Sequence, residues 1–165
     1  MNRNILFKTL IDILFIMHCL GFAALIFLLP FGVVGINMPD TVVSDWSFMH
    51  WLSLIIGVLA YVCFLIALFY LRKTARFILN NNFFTERIIK SLRKSGQYFL
   101  SVSVLTIIMF LAFWLAKLST GTFTLVYNVN IITTLLLAIV GLFFIIQSDV
   151  LLSAKVYKEE NELTI

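Results

Sequence analysis

The sequence predicts an all-α integral membrane protein. The expected form is a four-helix bundle in a single membrane domain, residues 1–165, with both termini in the cytoplasm. Three observations carry this. The chain is 62% hydrophobic and 12% charged, whereas soluble domains are about 45–50% apolar and about 25% charged. It contains four long apolar runs separated by polar segments. Its lysines and arginines are distributed unevenly between alternate segments. A soluble protein of 165 residues could not hide so much apolar surface, so lipid is the solvent this composition requires.

The first run covers residues 11–31, IDILFIMHCLGFAALIFLLPF. A bilayer core of ~30 Å needs about 20 helical residues, so it is long enough to span. It is too long for the apolar region of a cleavable signal peptide, and no small-x-small site precedes a soluble domain. Pro30 and Gly32 mark its exit. The second run, residues 50–71, has no formal charge. The third and fourth cover residues 97–116 and 130–152. None alternates apolar and polar residues as strands of a membrane barrel do over ~10 residues, so the spans are helices.

Orientation follows from the bases. Arg3 and Lys8 precede the first span; seven bases lie in the segment 72–96; Lys155 and Lys158 lie in the tail 153–165. With four spans these segments share one side, which holds eleven of the twelve bases, and Lys117 alone falls on the other. The excess of Lys and Arg marks the cytoplasmic side. The first outer loop carries Asp40 and Asp45 and no base. Trp46, Trp51 and Trp114 fall near outer helix ends, and Tyr70 and Tyr98 near inner ends, as interfacial aromatics do. The expected location is therefore the plasma membrane, multi-pass. The net charge of +4 reflects topology, and no motif for direct nucleic-acid binding is present.

The central segment predicts a basic cytoplasmic helical hairpin. Arg72–Leu79 extends the second helix, and Asn80–Asn82 breaks it, because Asn competes for backbone hydrogen bonds. Thr85 is a suitable N-cap, with Glu86 in the first turn of the next helix. That helix sets Ile88, Ile89 and Leu92 on one side and Arg87, Lys90, Arg93 and Lys94 on the other. Together with Arg72, Lys73 and Arg76 these bases are candidate contacts for anionic lipid heads or for an acidic cytosolic protein. Glu159, Glu160 and Glu162 of the tail either fold back on Arg93 or Lys94 or offer a terminal peptide to a partner, with Leu163 and Ile165 as apolar anchors.

The stretch FYLRKTARFILNNNFFTERIIKSLRKSGQYFL and the ending EENELTI resemble the bacterial membrane family catalogued as domain of unknown function 2975. The matching features are Leu71–Arg72–Lys73, Phe84–Thr85, Leu92–Arg93–Lys94, Gly96 and the acidic-Leu-Thr-Ile finish. Asn80–Asn82 departs from the family's more usual glycine-containing spacer. The resemblance implies a four-helix bacterial membrane protein of unassigned biochemistry. Genes of such proteins often adjoin a small helix-turn-helix regulator, so it also implies a membrane partner for a transcription factor. It supplies no catalytic residues.

Ionisable groups inside spans are candidate functional sites. Asp12 lies about one turn inside the first span, where it reaches Lys8 at i−4 or the interface. Asp149, with Gln147 and Ser148, mirrors it on the fourth. If helices one and four pack together, Asp12, Gln147 and Asp149 form a polar cluster that Arg72 or Arg76 neutralises. His18 and His50 differ in depth by much of a bilayer, which excludes a shared haem. His18 and Cys19 diverge by about 100° on a helix and do not converge on a metal. His18 reads best as a packed, hydrogen-bonded histidine, and Cys19 and Cys63 as small hydrophobes. Ser101, Ser103, Thr106, Thr133 and Thr134 read as packing residues, and Gly57 and Gly141 as points of close helix approach.

No Ser-His-Asp set, zinc spacing, P-loop or dinucleotide fingerprint is present. The expectation is a non-enzymatic regulator or sensor, without cofactor or metal, that binds a cytosolic partner such as a helix-turn-helix transcription factor. The alternative is a small transporter or channel subunit. A homo-oligomer would then be needed, because four spans alone enclose little room for a solute.

Overall fold

The computed structural model describes residues 3–28, 48–79, 85–119 and 129–163. They form four helices: α1 Arg3–Leu28, α2 Phe48–Leu79, α3 Glu86–Ser119 and α4 Val129–Leu163. Each contains a stretch long and apolar enough to cross a membrane, and the fold is that of a multi-pass helical membrane protein. The first outer loop, Asn80–Asn82, Phe84 and Ile165 lie outside the described residues, as do the side chains of His50 and Trp51.

Helix bounds extend beyond the apolar runs. α1 begins at Arg3 rather than Ile11, because its first residues need no apolar solvent to form a helix. α2, α3 and α4 are 32, 34 and 35 residues long. At 1.5 Å per residue each is roughly 50 Å, well beyond a ~30 Å hydrocarbon core. α4 continues through the tail to Leu163, well beyond the apolar run 130–152. Lys155–Glu159 and Lys158–Glu162 ion pairs at i,i+4 support that last stretch. α3 starts where expected: the Thr85 carbonyl accepts hydrogen bonds from the N–H groups of Ile88 and Ile89.

Consecutive helices are antiparallel. Asp12 meets Arg72 while His18 meets Tyr61; Ser95 meets Ala67 while Phe99 meets Phe64; Ser103 meets Thr134 while Arg93 meets Asp149. The start of α1, the end of α2, the start of α3 and the end of α4 therefore share one end of the bundle, the basic end. α1 packs on α2, α2 on α3 and α3 on α4, and no other pair of helices brings its described backbones together.

Lipid tails are as apolar as Leu, so helix association in a membrane rests on close packing and interhelical hydrogen bonds. The contacts follow that rule. The buried cluster of Ile11, Ala67, Leu68, Leu71, Ala75 and Phe99 sits toward the basic end. Buried Ser95 donates to the Ala67 carbonyl at 3.0 Å, tying α3 to α2, and buried Ser103 donates to the Thr134 carbonyl at 3.0 Å, tying α3 to α4. Gly96 and Gly141 face each other so closely that a Cβ on Gly96 would lie 2.6 Å from the Gly141 carbonyl oxygen. Gly57 meets nothing within 4 Å, so it is not a packing glycine, contrary to the sequence reading. Most large apolar side chains elsewhere on the helices are exposed, as lipid-facing surfaces are.

Candidate functional site

Charge and polarity concentrate at the basic end, on two separate helix pairs. On α1–α2, the Asp12 carboxylate accepts a hydrogen bond from Arg72 Nε. Lys8 Nζ and Arg76 Nη2 each lie 4.0 Å from it. The Arg72 guanidinium also stacks on the Phe15 ring, 5.1 Å from its centroid. The Asp12 side chain is 21% exposed, at a depth where an unpaired carboxylate would be costly. The sequence named Lys8 at i−4, and Arg72 or Arg76 as neutralising bases; the structure brings all three to Asp12, with Arg72 the nearest, across the α1–α2 interface.

On α3–α4, Arg93 pairs with Asp149 at 3.6 Å. Glu86 accepts from Lys90 at 2.9 Å on its own helix and from Lys155 of α4 at 3.4 Å. Lys155 also reaches Glu159 at 3.4 Å. Lys94 lies over the Tyr70 ring at 5.3 Å, and Tyr70 stacks on Tyr98. Glu159 and Glu162 are thus paired within α4, and they do not fold back on Arg93 or Lys94. Most of these α3–α4 pairs are well exposed and screened by water and salt.

The structure does not assemble Asp12, Gln147 and Asp149 into one cluster. Their helices, α1 and α4, make no backbone approach. Asp12 is held by α2 and Asp149 by α3. Gln147 instead lines an apolar groove of about 390 Å³ at the basic end, with Phe7, Leu71, Ile88, Phe144 and Leu151 among its walls. Lys73 and Arg87 are exposed, each beside a buried neighbour, Thr74 and Ile88.

Deeper in the bundle, His18 is packed and hydrogen-bonded. Its Nδ1 donates to the Leu14 carbonyl at 2.8 Å, since a carbonyl can only accept. Its ring lies 5.1 Å from Phe64 and 6.3 Å from Tyr61. The Tyr61 hydroxyl donates to the His18 carbonyl at 3.1 Å. Among the described residues no three His, Cys, Asp or Glu side chains gather as metal ligands, and Cys19 and Cys63 are both free thiols.

Sequence reading named Ser103, Thr134 and Gly141 as packing residues but missed Gly96, Ser148 and the seam that all five form between α3 and α4. The signal was there in heptad spacing: Thr134, Gly141 and Ser148 on α4, and Gly96 and Ser103 on α3, all buried. A seven-residue repeat of small residues places one narrow seam along a helix, which lets a neighbour's backbone come close.

The family described as "Protein of unknown function (DUF2975)" matches this chain over residues 34–165. No curated protein and no solved structure matches it.

Proposed function

The chain belongs to the DUF2975 family, proteins of unknown function, and we propose that it is a non-enzymatic regulator or sensor of a bacterial plasma membrane. In this reading both termini and the α2–α3 connection face the cytoplasm, and the basic end binds a cytosolic partner. Such a partner is an acidic surface on a small soluble protein, with a helix-turn-helix transcription factor as the leading kind.

The observation that carries the reading is the shape of the basic end. α2, α3 and α4 all continue past the length a bilayer requires, and they do so at the same end. They present a helical platform beyond the membrane, with Arg87, Lys90, Arg93 and Lys94 on α3 and Glu159, Glu160 and Glu162 on α4. Bases confined to the membrane surface would serve topology alone; helices extended into water offer a surface that a soluble protein can reach. The lopsided charge supports the orientation. A shared Asp12–Asp149 site inside the membrane would favour the transport alternative, and these residues stand on separate helix pairs.

Mild-detergent purification from native membranes, with mass spectrometry of co-purifying proteins, tests this. A small DNA-binding protein should be enriched with the wild-type chain and lost when Arg87, Lys90, Arg93 and Lys94 are all changed to Gln. Capture that is indifferent to those four substitutions removes the α3 face from the proposal.

A further inference from the structure

Charge is balanced differently on the two halves of the molecule. On α3–α4 the bases Lys90, Arg93, Lys155 and Lys158 each have a carboxylate partner. α1 and α2 together carry five bases and a single acid, Asp12. Three of those bases converge on that one carboxylate. Arg72 is fully engaged, by Asp12 and by the face of Phe15. Lys8 and Arg76 are not: each stands 4.0 Å away, with side chains 36% and 54% exposed. One carboxylate neutralises one of three cations, so about two positive charges remain at this spot.

The surroundings define what would neutralise them. Helical spacing puts Lys8, Asp12 and Ile16 on one stripe of α1, and Phe69, Arg72 and Arg76 on one stripe of α2. Ile16 and Phe69 are about half exposed, at 49% and 50%. They lie about two turns further into the apolar run than Lys8 and Arg76 do. The flank therefore presents cationic donors directly above an apolar wall. Among the described helices only α2 brings its backbone close to α1, and the side chains of Lys8, Arg76, Ile16 and Phe69 all remain exposed by a third or more.

We propose that this α1–α2 flank is a binding site for an anionic phospholipid. Its head-group phosphate is held by Lys8 and Arg76, and its acyl chains lie along Ile16 and Phe69. A free anion would satisfy the charges but leave the apolar wall unused. A zwitterionic lipid would bring an ammonium group against two bases. Basic clusters between membrane helices attract anionic lipid heads for this reason. The bound lipid bridges α1 and α2 beside the Asp12–Arg72 pair and so helps to hold α1 in place. The inference rests on the membrane setting proposed above and is independent of partner capture.

The test is a titration of the purified full-length chain in detergent, read by native mass spectrometry and by melting temperature. The probes are phosphatidylglycerol, phosphatidylcholine and inorganic phosphate. Phosphatidylglycerol should bind in preference and raise the melting temperature. That preference should fall about 30-fold in Lys8→Gln/Arg76→Gln. It should survive in Lys8→Arg/Arg76→Lys, which keeps both charges, and in Arg87→Gln/Lys90→Gln, which alters exposed bases of α3 away from α1 and α2. Equal binding of phosphatidylcholine, or a preference unchanged in Lys8→Gln/Arg76→Gln, overturns the proposal. Stabilisation by inorganic phosphate equal to that by phosphatidylglycerol overturns the lipid assignment. Partner capture is measured separately on the same variants, so failure here and failure of the regulator reading are told apart.

Discussion

Asp12 shows how one side chain can organise the contact between two helices. It is the only acid on α1 or α2, and it serves three bases. The two halves of its pair with Arg72 are therefore unequal. Removing Arg72 leaves Asp12 with Lys8 and Arg76 close enough to move in. Removing Asp12 leaves three cations with no anion and a partly buried guanidinium without its acceptor. We predict that Asp12→Ala lowers stability by about 2–4 kcal/mol and Arg72→Gln by about 1 kcal/mol, with partial exposure of both side chains reducing each effect. Thermal unfolding in detergent measures both. A larger loss from Arg72→Gln than from Asp12→Ala would contradict the shared-carboxylate arrangement. The sequence made Asp12 conspicuous, because a carboxylate inside an apolar run must find a partner. It did not identify Arg72 as the nearest one, because sixty residues separate the two and only the antiparallel pairing of α1 and α2 brings them together.

Among the elements, α3 is the central one, packed on α2 along one side and on α4 along another. Its amphipathic start was legible: Ile88, Ile89 and Leu92 are buried and Arg87, Lys90, Arg93 and Lys94 are exposed. The spans were legible for the same reason, since hydropathy records the solvent each segment requires. Helix ends were less so, because hydropathy marks where lipid stops and a helix continues as far as its backbone bonds and i,i+4 pairs allow. Packing partners were the least legible. Gly57 and Gly141 look alike in sequence, and what distinguishes them is the neighbour each one meets. Gly141→Ala would place a Cβ 2.9 Å from the Gly96 carbonyl oxygen. Backbone cannot yield as a flexible side chain can, so α3 and α4 must separate. We predict a loss of about 1–3 kcal/mol for Gly141→Ala and for Gly96→Ala. Gly57→Ala, with open space around it, should be neutral or slightly stabilising. Unfolding midpoints of the three variants, compared side by side, decide it; a costly Gly57→Ala would mean that this face is covered.

At the scale of the whole molecule, antiparallel packing places the start of α1, the end of α2, the start of α3 and the end of α4 at one end of the bundle, and the proposed function sets that end in the cytoplasm. Single-cysteine variants provide a direct check. With Cys19 and Cys63 replaced by Ala, cysteines at Lys158 and Thr85 should react with a membrane-impermeant maleimide only after cells are opened. Labelling of either in intact cells would invert the proposed orientation and move the basic platform away from any cytosolic partner.

Because the backbones of the described helices approach only those of their neighbours in sequence, each close helix–helix approach can form as soon as the next helix is made. During synthesis α2 can dock on α1 as soon as it enters the bilayer, then α3 on α2, and α4 last on α3. Helices that insert first and associate afterwards are well served by such an order. The short sequence separation of the contacts also favours rapid assembly. The molecule thus grows outward from each newly delivered hairpin, and the ribosome's own direction of travel is enough to set the sequence in which it is built.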